Sequence, residues 1–309
     1  MKITSKNKNS LPDIKTFGCR LNIWESQVIS DLASKNGQSD LIIFNTCAVT
    51  SEAERQARQA IRSSKRSRPD AQILVTGCAA QVDPQKWNSM PEVDFVIGNK
   101  EKLDEDFWEK FESEDRFSTN QNVFVQDIMQ VKSTSEHLVE SFNKHTRGFV
   151  QVQNGCDHRC TFCIIPYARG KSRSIPKVEI KNQIKSLVLS GVKEIVLTGV
   201  DITSWGLDFK NKERLGDLIE FILESIPSLQ RLRISSIDSI EIDPKLMDLI
   251  CHDTRLMPHL HLSLQSGDNM ILKRMKRRHL REDSIKFCSE LKKIRPEITF
   301  SADIIAGFP

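Results

Sequence analysis

Between residues 12 and 99 four apolar runs recur, PDIKTFGC, DLIIFNTC, QILVTGC and VDFVIGN, and polar stretches with helical charge spacing separate them. Strand-like runs alternating with helix-like ones predict βα units, and hence a parallel sheet covered by helices. In SEAERQARQAIRSSKR, Ser51 and Glu54 have the spacing of a capping box, which predicts a helix from about Glu52. Each of the first three runs ends in a cysteine: Cys19, Cys47 and Cys78. The carboxyl ends of parallel strands lie along one edge, so these three thiols, 28 and 31 positions apart, are candidates to converge on one point. The alternative is three ordinary buried cysteines, which pack well in cores.

A chain of 309 residues is too long for one typical core. Regular patterning resumes at Arg147 with GFVQVQ, KEIVLTGV, QRLRISSID, HLHLSLQ and ITFSADIIAGF, separated by helical patterns such as KVEIKNQIKSLVLSGV and DSIKFCSELKKI. Five successive βα units predict a barrel-type or open parallel arrangement, and residues 142–309 are too few for the ~250 of a complete eightfold barrel, so a partial barrel is expected. The sequence stops at Gly307, Phe308 and Pro309 directly after an apolar strand, which reads as a truncation. In between, residues 101–117 hold eight acidic residues against three basic ones, and residues 104–140 carry few apolar patterns apart from NVFVQDI. The predicted organisation is an N-terminal α/β domain over 1–103, a linker over 104–141 and a partial (β/α) barrel over 142–309.

No tract approaches the roughly 18 uninterrupted apolar residues of a membrane helix, and MKITSKNKNSLPDIK lacks the apolar core of a signal peptide. A cytoplasmic protein is expected. In that reducing compartment clustered cysteines bind metal or react rather than form disulfides. The densest cluster is NGCDHRCTFCIIPYARG, with Cys156, Cys160 and Cys163 inside eight residues. A closed zinc site wants four ligands, and His158, between two close ligands, is poorly placed to be the fourth. A cubane iron-sulfur cluster has four irons, so three cysteines leave one iron open to a substrate.

Cys156-x3-Cys160-x2-Cys163, with Phe162 before the last cysteine, resembles the defining motif of radical S-adenosylmethionine enzymes. The resemblance implies a 4Fe-4S cluster whose open iron chelates S-adenosylmethionine and whose electron cleaves it to a 5'-deoxyadenosyl radical. Together with TFGCRLN, NTCAVT and VTGC, the chain from about residue 12 onward is similar to the methylthiotransferase subfamily. That similarity implies a second 4Fe-4S cluster on Cys19, Cys47 and Cys78, carrying the sulfur to be methylated and inserted. FNTCAVTSEAERQARQAIR and LTGVDITSWG are most similar to the branch that acts on N6-threonylcarbamoyladenosine in tRNA. This implies methylthiolation at adenine C2 of position 37, the tRNA anticodon stem-loop as partner, and a flavodoxin-like electron donor. The sulfur source stays open, and the RNA-binding β domain usual at the C-terminus of the family is not in this sequence. Alternatives are the branches acting on isopentenylated adenosine or on a ribosomal-protein aspartate and, more distantly, a non-catalytic RNA-binding module with zinc at Cys156 to Cys163.

No general acid or base is nominated, because the cofactors carry the hard step. The run HLHLSLQ alternates, with Leu260, Leu262 and Leu264 on one face and His259, His261, Ser263 and Gln265 on the other. Ser263 and Gln265 are cofactor-contact candidates with Phe162, whereas the histidines are read as interior filling. Gly199 and Asp201 follow a strand end where backbone can approach the cofactor; a turn with an Asx-type bond is the alternative. Cys251 and Cys288 are read as packing residues. Arg55, Arg58, Arg62 and Lys65 share a helix face, and KRMKRRHLR (273–281) holds six Lys or Arg, patches suited either to RNA phosphates or to solvent.

Overall fold

The computed structural model describes residues 11–38, 41–112, 121–132 and 146–309. The chain divides into two compact units, Met1–Val131 with Tyr167–Gly170, and Lys132–Pro166 with Lys171–Pro309.

The first unit is built on β1 (Asp13–Thr16), β2 (Leu41–Thr46), β3 (Gln72–Gly77), β4 (Phe95–Ile97) and β5 (Val123–Phe124), side by side in that order and all parallel. The first four are the strands expected from the apolar runs. The all-buried β2 alternates its side chains between two neighbours: Ile42 and Phe44 join the apolar cluster that includes Ala57 and Ile61 of helix α2 (Ser51–Ser67), whereas Asn45 bonds α1 (Arg20–Lys35). Helix α1 buries Leu21, Trp24, Val28, Ile29 and Leu32, the spacing of one helical face. Helix α2 starts at Ser51 rather than about Glu52, because Thr50 takes the N-cap position and accepts from the Ala53 N–H at 3.2 Å; Glu52 is then free to pair with Arg55. Two short helices follow β3, α3 (Cys78–Val82) and α4 (Pro84–Asn88).

In its described parts, the stretch expected to be a linker is built into this unit. Helix α5 (Glu105–Glu112) carries Phe107 and Phe111, edge-on to Phe124, with Phe111 also edge-on to Phe95, and Trp108, edge-on to Phe107 and Phe111, whose indole N–H donates to the Lys102 carbonyl at 3.1 Å. Acidic residues on the outer face mask this aromatic stripe in the composition. Residues 113–120 and 133–141 of that stretch, and 142–145 at the start of the expected barrel, lie outside the described residues.

The second unit opens with β6 (Gly148–Gln151), followed by the short antiparallel pair β7 (Gln153–Asn154) and β8 (Arg173–Ser174), with α6 (Ile165–Arg169) between them in sequence. Then β9 (Glu194–Thr198), β10 (Arg231–Ile234), β11 (His259–Gln265) and β12 (Thr299–Ile304) alternate with α7 (Lys177–Leu189), α8 (Leu215–Ser225), α9 (Pro244–His252), and α10 (Asn269–Arg274) with α11 (Arg281–Ile294). Strands β6, β9 and β10 pair in parallel, as do β11 and β12, and single parallel bridges Leu232↔Leu256 and Ile237↔Leu262 carry the same direction onward from β10. These are the five expected strands of a partial barrel. Among the described residues β6 does not pair with β12, so the arc is open. Ile195, Leu197, Leu232 and Ile234 are buried with helix residues such as Ile184, Leu218, Ile222 and Leu246, each worth about 1.5–3 kcal/mol. The opposite strand face mixes buried Phe149 and Val196 with polar residues, and Arg233 and Arg147 sit on Glu194 at 2.7 and 3.0 Å.

Candidate metal centres

The first unit brings Cys19, Cys47 and Cys78 to one sheet edge. The registers Thr16↔Asn45 and Thr46↔Gly77 set the carboxyl ends of β1, β2 and β3 side by side, and each cysteine lies within three residues of its strand end. Two glycines allow the approach. A Cβ on Gly18 would lie 2.7 Å from Cys47 Cβ and 2.8 Å from its Sγ, and one on Gly77 would lie 2.3 Å from the Thr46 carbonyl; both have φ near +95°, at 94° and 96°. The three sulfurs share a field. Burial pushes the Cys47 thiol up, the Val49 N–H at 3.4 Å pulls it back, and Cys78 and Cys19 push it up again. All eight cysteines are free thiols.

Beneath these thiols lies a buried ionic group that the sequence analysis did not single out. Arg169 forks onto Glu25, with Nη1 to Oε1 at 2.7 Å and Nη2 to Oε2 at 3.2 Å, and donates to Asn22 Oδ1 at 2.7 Å. Lys102 donates to Glu25 Oε2 at 2.6 Å. Burial pushes the Glu25 carboxyl up, but Arg169 and Lys102 outweigh it and hold the group at about 2. Asn22 Nδ2 donates to the carbonyls of Phe17 and Thr46, at 2.7 and 3.2 Å, and its Oδ1 lies 3.9 Å from Cys19 Sγ, which donates to it. One amide thus ties together the turns that carry Cys19 and Cys47. On the third thiol, Asn99 Nδ2 lies 4.0 Å from Cys78 Sγ and donates to the Ala168 carbonyl at 2.7 Å.

In the second unit Cys156, Cys160 and Cys163 line one cavity of about 130 Å³ together with Phe162, Asp201, Ser263 and Gln265. The loop is pinned at Thr161, whose N–H and hydroxyl donate to the carbonyls of Met275 and Arg274 at 3.2 and 3.1 Å. Gln265 sits at φ 65°, a left-handed conformation that costs a glutamine about 1 kcal/mol or more, at the point where it reaches the cavity. Gly199 does not line it. A Cβ there would meet Ile202 Cγ2 at 2.7 Å and the Gln153 carbonyl at 2.8 Å, so this glycine serves close packing. Gln153, which the sequence analysis missed, accepts from the N–H groups of Val200 and Asp201 at 3.2 and 2.9 Å and donates to the Gly155 carbonyl at 2.6 Å, joining the Asp201 turn to the start of the cysteine loop. His259 and His261 both meet Ser301 Oγ, at 3.0 and 2.9 Å, as interior contacts between β11 and β12.

His158 is held by carboxylates, with Nε2 3.1 Å from Asp201 and 3.4 Å from Glu241, and these partners outweigh burial to raise it to about 10. Cys156, His158 and Asp201 offer donor atoms within 4.8 Å of one another. Burial first, and then Asp201, push the Cys156 thiol up to about 12. The basic run 273–281 turns partly inward: Arg277 reaches Cys160 Sγ at 3.7 Å, Asp238 at 2.9 Å and the Ser263 carbonyl at 2.6 Å, and Arg278 pairs with Asp238 and Glu241. Lys273, Arg274 and Lys276 stay exposed and make no ion pair within 4.0 Å among the described residues. The expected cationic face of α2 is instead neutralised, because Arg55, Arg58, Arg62 and Lys65 pair with Glu52, Glu54, Glu92 and Asp94.

Residues 150–309 match the model of the Radical SAM superfamily, and residues 13–98 that of the Uncharacterized protein family UPF0004. The chain is 54% identical over 301 residues to the threonylcarbamoyladenosine tRNA methylthiotransferase MtaB of Rickettsia prowazekii (strain Madrid E), covering 97% of this chain and 70% of that protein. It belongs to the radical S-adenosylmethionine methylthiotransferase family. Similarity within this methylthiotransferase family extends to the protein of the same name from Aquifex aeolicus (strain VF5), at 36% identity over 96% of this chain and 72% of that one. It also extends to the tRNA-2-methylthio-N(6)-dimethylallyladenosine synthase of Lawsonia intracellularis (strain PHE/MN1-00), at 34% identity over 96% and 69%. Among solved structures, the radical S-adenosylmethionine methyltransferase TsrM from Kitasatospora setae superposes with a TM-score of 0.64 at 14% identity, over 94% of this chain and 60% of that chain, a likeness of fold. The family member described here therefore spans about seven tenths of the Rickettsia relative and three fifths of the solved chain. Among its described residues no helix is long and apolar enough to cross a membrane.

Proposed function

We propose that this chain methylthiolates C2 of N6-threonylcarbamoyladenosine at position 37 of tRNA by radical S-adenosylmethionine chemistry. The observation that carries the reading is the 54% identity over 301 residues to the Rickettsia protein of that name. Two separate three-thiol sets, one per unit, agree with it. The donor sets fit 4Fe-4S clusters: soft sulfur ligands, three at each site, beside a cavity at Cys156, Cys160 and Cys163 and among glycines without room for a Cβ at Cys19, Cys47 and Cys78. Bound at Cys156, Cys160 and Cys163, a cluster supplies the electron that cleaves S-adenosylmethionine.

The chain's own residues bind and orient. Asp201 and Arg277 put opposite charges on the same cavity, suited to the ammonium and carboxylate of the cofactor's amino acid moiety. Ser263 and Gln265 add polar contacts, and Phe162, 38% exposed and edge-on to Phe308 at 6.3 Å, walls the cavity. Lys273, Arg274, Lys276 and Arg281, exposed and without an ion pair among the described residues, are cations suited to RNA phosphates, and they support a reading in which the anticodon stem-loop binds there. The reaction belongs in the cytoplasm, with a flavodoxin-like electron donor.

The test is anaerobic reconstitution of the protein with iron and sulfide, followed by turnover with S-adenosylmethionine, reductant and tRNA bearing either N6-threonylcarbamoyladenosine or isopentenyladenosine. Nucleoside mass analysis is expected to show the methylthio product on the first. Product on isopentenyladenosine instead moves the chain to the other tRNA branch. A colourless zinc protein without product ends the reading.

A further inference from the structure

The turn after α10 reaches the Cys156 loop at three points. The Thr161 N–H and hydroxyl donate to the Met275 and Arg274 carbonyls, and Arg277 Nη1 donates to Cys160 Sγ at 3.7 Å. Lys276 makes the turn in a left-handed conformation, at φ 58°. It closes α10 with two reversed bonds, its own N–H to the Lys273 carbonyl at 3.0 Å and the Arg277 N–H to the Leu272 carbonyl at 2.9 Å, which fixes where the Arg277 side chain starts. The far end of that side chain is gripped as well. Nη2 donates to Asp238 Oδ2 at 2.9 Å and to the Ser263 carbonyl at 2.6 Å, and the Arg277 and Asp238 side chains are only 8% and 7% exposed. A guanidinium is a rigid plane, so holding Nη2 on two acceptors also aims Nη1 at the sulfur. Asp238 Oδ2 takes Arg278 Nη2 too, at 3.2 Å, but Arg278 has Glu241 as a second partner, whereas Arg277 pairs with Asp238. Arg277 Nε bonds nothing in the structure, so the contact with Cys160 leaves a donor for the cofactor's carboxylate.

We propose that Asp238 is a positioning residue that acts through Arg277, holding the guanidinium so that Nη1 donates an N–H···S bond to Cys160 and raises the reduction potential of the cluster bound there. The inference rests on the reading that Cys156, Cys160 and Cys163 hold a 4Fe-4S cluster. Hydrogen bonds to the sulfurs are among the determinants of such a cluster's potential. A donor stabilises the more electron-rich, reduced form, and reduction of this centre has to precede cleavage of the sulfonium. The bond also ties Cys160 to the same turn that holds Thr161, so the middle ligand of the loop is fixed through both its side chain and its neighbour.

The experiment uses the full chain with Cys19, Cys47 and Cys78 each changed to Ala, so that iron loads only at the second centre. After anaerobic reconstitution, iron per chain is measured and the centre is titrated redox-wise by electron paramagnetic resonance without S-adenosylmethionine, alone and with R277K, D238A, D238N or R277K/D238A. The parent is expected to bind a cluster. R277K keeps the charge but cannot span Cys160, Asp238 and the Ser263 carbonyl at once. It is expected to shift the oxidised-to-reduced ratio at fixed potential about tenfold toward the oxidised form, which is about 59 mV downward for one electron. D238A is expected to shift the ratio in the same direction, and R277K/D238A to go no further than R277K, as for residues that act as one unit. The sign for D238A separates the two ways a carboxylate can act: loss of its charge alone raises the potential, whereas loss of its hold on Arg277 lowers it. If D238A or R277K does not fold, D238N, which keeps the side-chain shape, decides by the same sign. R277K at the parental potential overturns the bond to Cys160, and D238A or D238N at or above the parental potential overturns the role of Asp238; both leave the cluster reading standing. A parent without iron overturns that reading and the proposal with it.

Discussion

Replacing Glu25 with Gln should be among the most damaging single changes in the first unit away from its cysteines. The carboxylate is fully buried between Arg169 and Lys102, and its carboxyl is lowered from 4.5 to about 2. At 1.36 kcal/mol for each pKa unit, that displacement represents about 3 kcal/mol of folding free energy. Because the folded-state value is depressed, the contribution is present above about pH 4.5 and lost as pH falls through about 2. Removing one partner of a buried pair costs about 3–5 kcal/mol by direct comparison, which brackets the same figure. Urea unfolding of the metal-free protein at neutral pH reads it. Three of the four tryptophans, Trp24, Trp87 and Trp108, lie in the first unit, so indole fluorescence reports mainly on that unit. With a slope of roughly 1–3 kcal/mol/M, E25Q should lower the midpoint by about 1–3 M. E25Q/K102M, which removes one of the two cations that face Glu25, should recover part of the loss. Coincident midpoints for E25Q and the parent would refute the claim that Glu25 holds these cations in place.

Gly18→Ala introduces a Cβ at 2.7 Å from Cys47 Cβ in a backbone at φ 94°, and should cost about 1–3 kcal/mol. Iron per chain should fall toward half as the first centre is lost; unchanged iron content would show that the turn relaxes. Changing Lys273, Arg274 and Lys276 together to Ala should weaken tRNA binding in fluorescence anisotropy and lower the salt slope by about one for each phosphate left without its cation. Neutralising Arg62 and Lys65 should change it little, because Glu92 and Asp94 already hold those side chains. The opposite ranking would return the RNA surface to α2.

The strands were legible because each is a short apolar run bounded by turn residues, and the parallel topology followed from the helical patterns between them. Helix α5 was not, since Phe107, Trp108 and Phe111 lie among acidic neighbours and only the packing of Phe107 and Phe111 on Phe124 and Phe95 shows the buried face. The same limit applies at the sites. Spacing and strand ends marked all six cysteines as candidates and the family resemblance grouped them in two sets of three, but what positions them could not be read. Arg169 meets Glu25 across 144 residues, a pairing no local pattern announces. Two amides share that obscurity and a role: Asn22 joins the carbonyls before Cys19 and Cys47, and Gln153 joins the Asp201 turn to the start of the Cys156 loop. A buried amide offers donors and an acceptor at once, so a single Asn or Gln can tie two turns without adding charge beside the thiols. In both units the chain leaves cation and carboxylate to a few long-range partners and gives the local alignment of the sulfur-bearing turns to neutral side chains. The positioning residues therefore carry no motif of their own and become visible only once the strand ends are brought together.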